Sequence, residues 1–137
     1  MIPNSNITIY NKYVDPSTRA EKYARSEIYD VVWQANKARS GVGSGILASN
    51  VATVFIPYAA ATQYTKPIAW RALTSKTGAW TLQDGDVIVR NIVTDTIGDS
   101  FTITALRAKY DDVVTITSVD TMDQGSSNVQ HFEVGCK

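Results

Sequence analysis

Polar and apolar residues alternate along most of this chain, and in one place apolar residues recur at helical spacing. Ile7-Thr8-Ile9-Tyr10-Asn11-Lys12-Tyr13-Val14 alternates and stops at Asp15-Pro16-Ser17-Thr18. This predicts a strand closed by a turn, because proline pre-sets the turn backbone and Asp and Ser bond it locally. Residues 19–25 are mixed and polar, either a short helical turn or a lead into a second strand over 26–34. In that strand Glu27, Tyr29, Val31 and Trp33 share one face and Ile28, Asp30, Val32 and Gln34 the other, and the face with Tyr29, Val31 and Trp33 is the more apolar. A third strand is predicted over Val51–Tyr58, where Pro57 suits a strand end or an edge.

Residues 59–64 read as a short helix or loop, ended by Lys66-Pro67. Ile68–Leu73 is short and alternates, and 74–78 is a turn. Ala79–Leu82 and Asp86–Val93 flank Gln83-Asp84-Gly85, which predicts a tight hairpin, since the glycine supplies the positive φ such a turn needs. Phe101–Tyr110 predicts one short helix: Ser100 or Thr102 caps it, Ile103, Leu106 and Tyr110 share a face, and cations sit in its last turn. Strands over 113–120 and 129–134 complete the pattern, with a polar loop over 121–128. No repeat period is visible. The expectation is a mainly β chain with a single domain over 1–137. It is a small β-barrel or sandwich of six to eight strands with one short helix and a long, projecting Gly/Ser-rich loop at about 36–50.

Composition strengthens the β reading. The chain holds 14 Val, 12 Ile and 15 Thr against four Leu, and side chains branched at Cβ fit a pleated surface better than a helix. With 44% hydrophobic and 19% charged residues, wholesale disorder is not expected. Thirteen basic and thirteen acidic side chains cancel, which removes the counterion-release drive for general binding to phosphate backbones. Met1–Asn6 lacks a basic region followed by an apolar one, and no run approaches eighteen apolar residues. Neither a secretory signal nor a membrane span is therefore expected. Cys136 is the single cysteine and has no internal disulfide partner, as suits a reducing compartment.

Candidate chemistry is sparse. His131 is the single histidine, in a strand between Gln130 and Phe132, and a catalytic histidine needs a nucleophile and an orienting group. One His and one Cys do not make a zinc site. Asp84, Asp86, Asp111, Asp112, Asp120 and Asp123 form acid pairs, but Asp84 and Asp86 flank a turn glycine and Asp111 and Asp112 follow a helix end, which are ordinary turn positions, and no calcium-loop motif is present. Gly41, Gly43 and Gly45 follow Lys37 and Arg39 but lack the Lys-Ser/Thr of a phosphate loop, so this stretch reads as an exposed connection. No cofactor, no metal and no enzymatic activity are expected. The aromatics Tyr10, Tyr13, Trp33, Tyr58 and Trp80 are candidates for a protein interface, where a ring buries area and its polar tip stays bonded.

The order of motifs resembles that of small virion proteins of tailed bacteriophages of Gram-positive bacteria, the minor capsid or head-tail connector proteins. The residues that carry the likeness are Ile7–Tyr13, Trp33, Val54–Tyr58, Trp80–Val89, Val114–Asp120 and His131–Val134. The resemblance implies a small β-barrel with long loops that acts as a stopper or head completion protein. Such a protein forms a ring with itself, taken as six-fold, under the portal and adaptor proteins. It helps retain packaged DNA without sequence specificity and docks tail terminator or tail tube proteins below. Its place would be the virion neck, and the host cytoplasm during assembly, with no membrane partner. The single short helix favours a stopper over an adaptor, which has a helical body. The loop with Lys37, Arg39, Gly41, Gly43 and Gly45 is the candidate gate, since a flexible cationic segment projecting into a channel meets DNA phosphates. A neutral chain suits a path along which a polyanion must slide. The alternative is a stand-alone β-barrel binding module, for a carbohydrate or other host ligand at a tail tip.

Overall fold

The computed structural model describes residues 2–35 and 51–137. Its strands are β1 (Ser5–Val14), β2 (Glu21–Ala35), β3 (Ala52–Pro57), β4 (Val87–Arg90), β5 (Val113–Met122) and β6 (His131–Cys136). They form a closed antiparallel barrel in the order β1-β2-β3-β6-β5-β4, with β4 returning to β1. The mainly β expectation therefore resolves to a barrel rather than a sandwich.

Inward positions explain the scarcity of leucine. Ile7, Ile9, Ile28, Val31, Val54, Ile56, Ile88, Val114, Ile116 and Val134 fill the interior with Trp33, Trp80, Phe132 and Cys136. A second cluster lies outside the barrel wall, where Tyr10, Val87 and Val89 pack against Val93 and Leu106. The three apolar residues of β4 are thus buried on both faces, which is why they run without alternation. Leu106 belongs to helix α2 (Ile103–Lys109), whose cap is Thr102: its Oγ1 accepts from the Ala105 N–H at 3.3 Å. Asp95 ties the preceding loop down. Its carbonyl accepts from Tyr10 Oη at 2.6 Å, and its carboxylate takes the Tyr110 hydroxyl and Lys109 Nζ.

Of the two readings open for residues 19–25 the extended one holds from residue 21, so β2 is one strand of 15 residues. Several other expectations are corrected. β2 does not keep one face throughout. Pairing jumps from Ile7↔Ile28 to Ser5↔Val31, so two residues of β2 oppose one of β1, and Asp30 takes φ 62°. This bulge puts both Ile28 and Val31 inside and leaves Tyr29 52% exposed. The Asp30 N–H donates to Asn6 Oδ1 at 3.0 Å.

The turn at Gln83-Asp84-Gly85 forms, with Gly85 at φ 90° and the Asp86 N–H donating to the Gln83 carbonyl at 3.2 Å. The hairpin does not form: β4 pairs with β1 and β5, and residues 79–82 are not its partner. Residues 68–73 are not extended either. Pro67 stands at the first position of helix α1 (Pro67–Arg71), where its fixed φ suits a helix start, and the helix buries Trp70. β5 runs two residues into the expected polar loop, and β6 lies over 131–136 rather than 129–134.

Candidate functional site

The barrel carries an extension. β4 pairs with β1 over Ile7–Tyr10 alone, and β3 pairs with β2 over Val32–Ala35 alone, so the rest of the β1–β2 hairpin continues past both neighbours as a two-stranded ribbon. The turn residues set its tip. Asp15 Oδ1 accepts from the Ser17 N–H and Oγ at 2.9 and 2.7 Å, Lys22 Nζ lies 2.8 Å from Asp15 Oδ2, and Arg19 takes φ 58°. The Lys22 ammonium and Ser17 hold the Asp15 carboxyl well below the usual carboxylate range.

Loops clasp the ribbon toward its tip. Tyr13 meets Trp70 edge to face at 5.9 Å, and Lys76 Nζ sits 4.8 Å and 5.1 Å from the two ring centroids. Beside them a groove of about 440 Å³ is lined by Val14, Pro16 and Leu73, of which Val14 is 60% exposed. On the other side a groove of about 770 Å³ lies between Glu21 and Tyr23 of β2 and Ile97, Asp99 and Ile103.

A buried polar network fixes the clasp. Asn11 Nδ2 donates to the Thr81 carbonyl and to Asp86 Oδ2, both at 2.7 Å, and Asn11 Oδ1 accepts from the Thr81 N–H at 3.1 Å. The side chain of Asn11 thus does for residue 81 what a neighbouring strand would do. Asp86 Oδ1 accepts the Lys12 N–H at 2.9 Å, and Gln83 Nε2 donates to Asp86 Oδ2 at 3.1 Å. Burial pushes the Asp86 carboxyl above its ordinary value, against the pull of these donors.

At the β6 end of the barrel an aromatic hollow of about 560 Å³ is formed by Tyr58, Tyr64 and Phe132 with Lys66 and Asp123. Its rings touch in series: Phe132 is 5.0 Å from Tyr58 and 4.5 Å from Tyr64, and Tyr64 is 5.4 Å from Trp80.

Among the expected interface aromatics, Tyr10, Trp33 and Trp80 lie inside this chain and serve its core. Burial pushes the Tyr10 hydroxyl up to about 12. Tyr13 and Tyr58 are half-buried, each at the edge of a hollow, so the structure does not bring the five rings together. Lys37, Arg39, Gly41, Gly43 and Gly45 lie outside the described residues. His131 faces Phe55 at 5.7 Å, and its Nδ1 lies 2.8 Å from the Val129 carbonyl. Among the described residues no group of His, Cys, Asp and Glu is placed to hold a metal ion, and no helix is long and apolar enough to cross a membrane.

Sequence reasoning missed Asn11, Asp86 and Trp70. A signal for the first existed: an asparagine between Tyr10 and Lys12 is out of place in a strand unless its amide has a specific partner.

Fold and site together define a small closed β-barrel protein whose β1–β2 hairpin extends past the barrel between open grooves. Over residues 2–137 the chain matches, and so belongs to, a family of unknown function, DUF6751. No curated protein and no solved structure matches it.

Proposed function

We propose that this chain is a structural subunit of a tailed-phage neck, of the stopper or head completion type. Copies of it form a ring under portal and adaptor proteins, help retain packaged DNA and offer a docking surface to the tail. The observation that carries this reading is the β1–β2 ribbon. A closed barrel buries its own core without help from another chain. The ribbon that runs past it ends in a groove with exposed Val14 and Leu73, apolar surface that has a use when another protein covers it. The motif resemblance from Ile7 to Val134 and the zero net charge support the same reading.

Antibody–gold labelling of phage particles that contain this chain, viewed in negative stain, tests the proposal. Gold at the neck is the expected result, and unlabelled particles would overturn it. The gate assignment to Lys37, Arg39 and the glycines has its own test. Deleting most of 36–50 is expected to let DNA leak from filled heads, and normal retention removes the gate.

The aromatic hollow favours a second reading, a binding module at a tail tip. Tyr58 and Tyr64 with Lys66 and Asp123 offer ring faces beside a donor and an acceptor, the pattern that a sugar ring needs. Gold at the distal tail would select that reading.

A further inference from the structure

We propose that the unassembled chain pairs with a second copy of itself through the outer edge of β2, antiparallel, about a two-fold axis at Tyr23. The edge is open. From Glu21 to Ile28 the strand has β1 on one side, and among the described residues no strand lies on the other. The groups on that edge follow from the hairpin. The Asp15 N–H donates to the Ala20 carbonyl at 2.9 Å, so alternation turns Lys22, Ala24, Ser26 and Ile28 toward β1. Glu21, Tyr23, Arg25 and Glu27 therefore direct their N–H and C=O groups outward. The matching edge of β1 is closed, by β4 over Ile7–Tyr10 and by the Asp86 carboxylate on the Lys12 N–H. An open edge beside closed ones is a template for an added strand.

Charge selects the occupant. With Tyr23 on the axis, Glu21 of each copy lies opposite Arg25 of the other, so two pairs of opposite charge form at once. Glu21 is exposed and has no ion pair among the described residues, whereas Arg25 already holds Glu27 at 2.6 Å. Other registers are poorer. Moving the axis to Ala24 sets Glu21 against Glu27, and moving it to Arg25 sets two guanidinium groups face to face. A register that opposes Arg25 and Glu27 needs Tyr29 in line, and the bulge at Asp30 ends the regular edge there. A two-fold contact closes on itself, so it yields a dimer and no filament. It also leaves Val14 and Leu73 at the ribbon tip free for other partners. The dimer is a property of the chain alone, so gold labelling of particles neither supports nor removes it.

Cysteine cross-linking and sedimentation velocity test the proposal on the full chain. In Tyr23→Cys the two thiols face each other at the Cα spacing of about 5.5 Å found in disulfides. The native Cys136 is buried and does not compete. Under mild oxidation Tyr23→Cys is expected to give a covalent dimer rapidly and Glu27→Cys slowly. Glu21→Lys, at an exposed position that leaves the fold intact, sets Lys opposite Arg25 and is expected to weaken self-association about tenfold. A wild-type monomer at every concentration overturns the proposal. So does a dimer that Glu21→Lys leaves unchanged, or one in which Glu27→Cys cross-links as fast as Tyr23→Cys.

Discussion

Asn11 sits in the middle of an apolar strand, and each polar atom of its side chain is used. It replaces backbone pairing for Thr81 and helps hold Asp86, so its removal strands three buried polar groups on those two residues. Asn11→Ala is expected to destabilise the barrel by about 3 kcal/mol, read from urea unfolding, although it removes almost no apolar contact. Asp86 gives a second expectation, and its sign follows from burial. Its carboxyl is held above the ordinary value, so in the window between the two the unfolded chain has lost a proton that the native chain retains. Its contribution therefore falls as pH rises through that window. In Asp86→Asn this fall disappears, while the amide that now faces three donors lowers stability at all pH values. Urea midpoints across about pH 3 to 7 check both effects. The aromatics show what a sequence leaves open at this scale. A ring with a polar tip suits an interface or a core, and neighbours distant in the chain decide which: Tyr10 is buried outside the barrel wall against Leu106, where the carbonyl of Asp95, far along the sequence, accepts its hydroxyl.

At the scale of elements, strands were legible wherever alternation was unbroken, as in Ile7–Tyr10 and Val54–Ile56, because burial on one face writes a period of two into the residues. The misreadings have two physical sources. One is local geometry that costs a single residue: the bulge at Asp30 shifts the phase of β2, and nothing in the alternation of Ser26–Gln34 announces it. The other is a long-range partner. Residues 79–82 look like half of a hairpin, but the Asn11 amide takes the place of a strand beside them. Helix α1 is too short for helical periodicity to show, and Pro67 was its one signal. The bulge can be tested directly. Asp30→Gly keeps a positive φ without a Cβ and is expected to be neutral or to stabilise by up to about 1 kcal/mol. Deleting Asp30 leaves one residue on each strand between the pairs Ile7↔Ile28 and Ser5↔Val31, so Val31 and Trp33 keep their inward positions in an unbroken strand, and cooperative thermal unfolding followed by circular dichroism is expected to persist.

The molecule as a whole is held by pairings between distant parts of the chain. β1 cannot meet β4 until some eighty residues have been looped out, and β6, the last element, completes the ring of strands by pairing with both β3 and β5. Such non-local closure predicts slow, cooperative folding with the C-terminal strand needed for any barrel to exist. Cys136 makes this measurable. It lies at the end of β6 opposite Ala52 and Ile116, fully enclosed, and burial pushes its thiol up to about 12. A thiol reagent in native buffer therefore meets neither an exposed sulfur nor a thiolate. Its reaction is expected to be limited by opening of the barrel, and its rate to rise with urea along the slope of global unfolding. A burst of labelling in the absence of denaturant would mean that β6 detaches by itself, and that the barrel is an open sheet with a loosely held final strand rather than one cooperative unit.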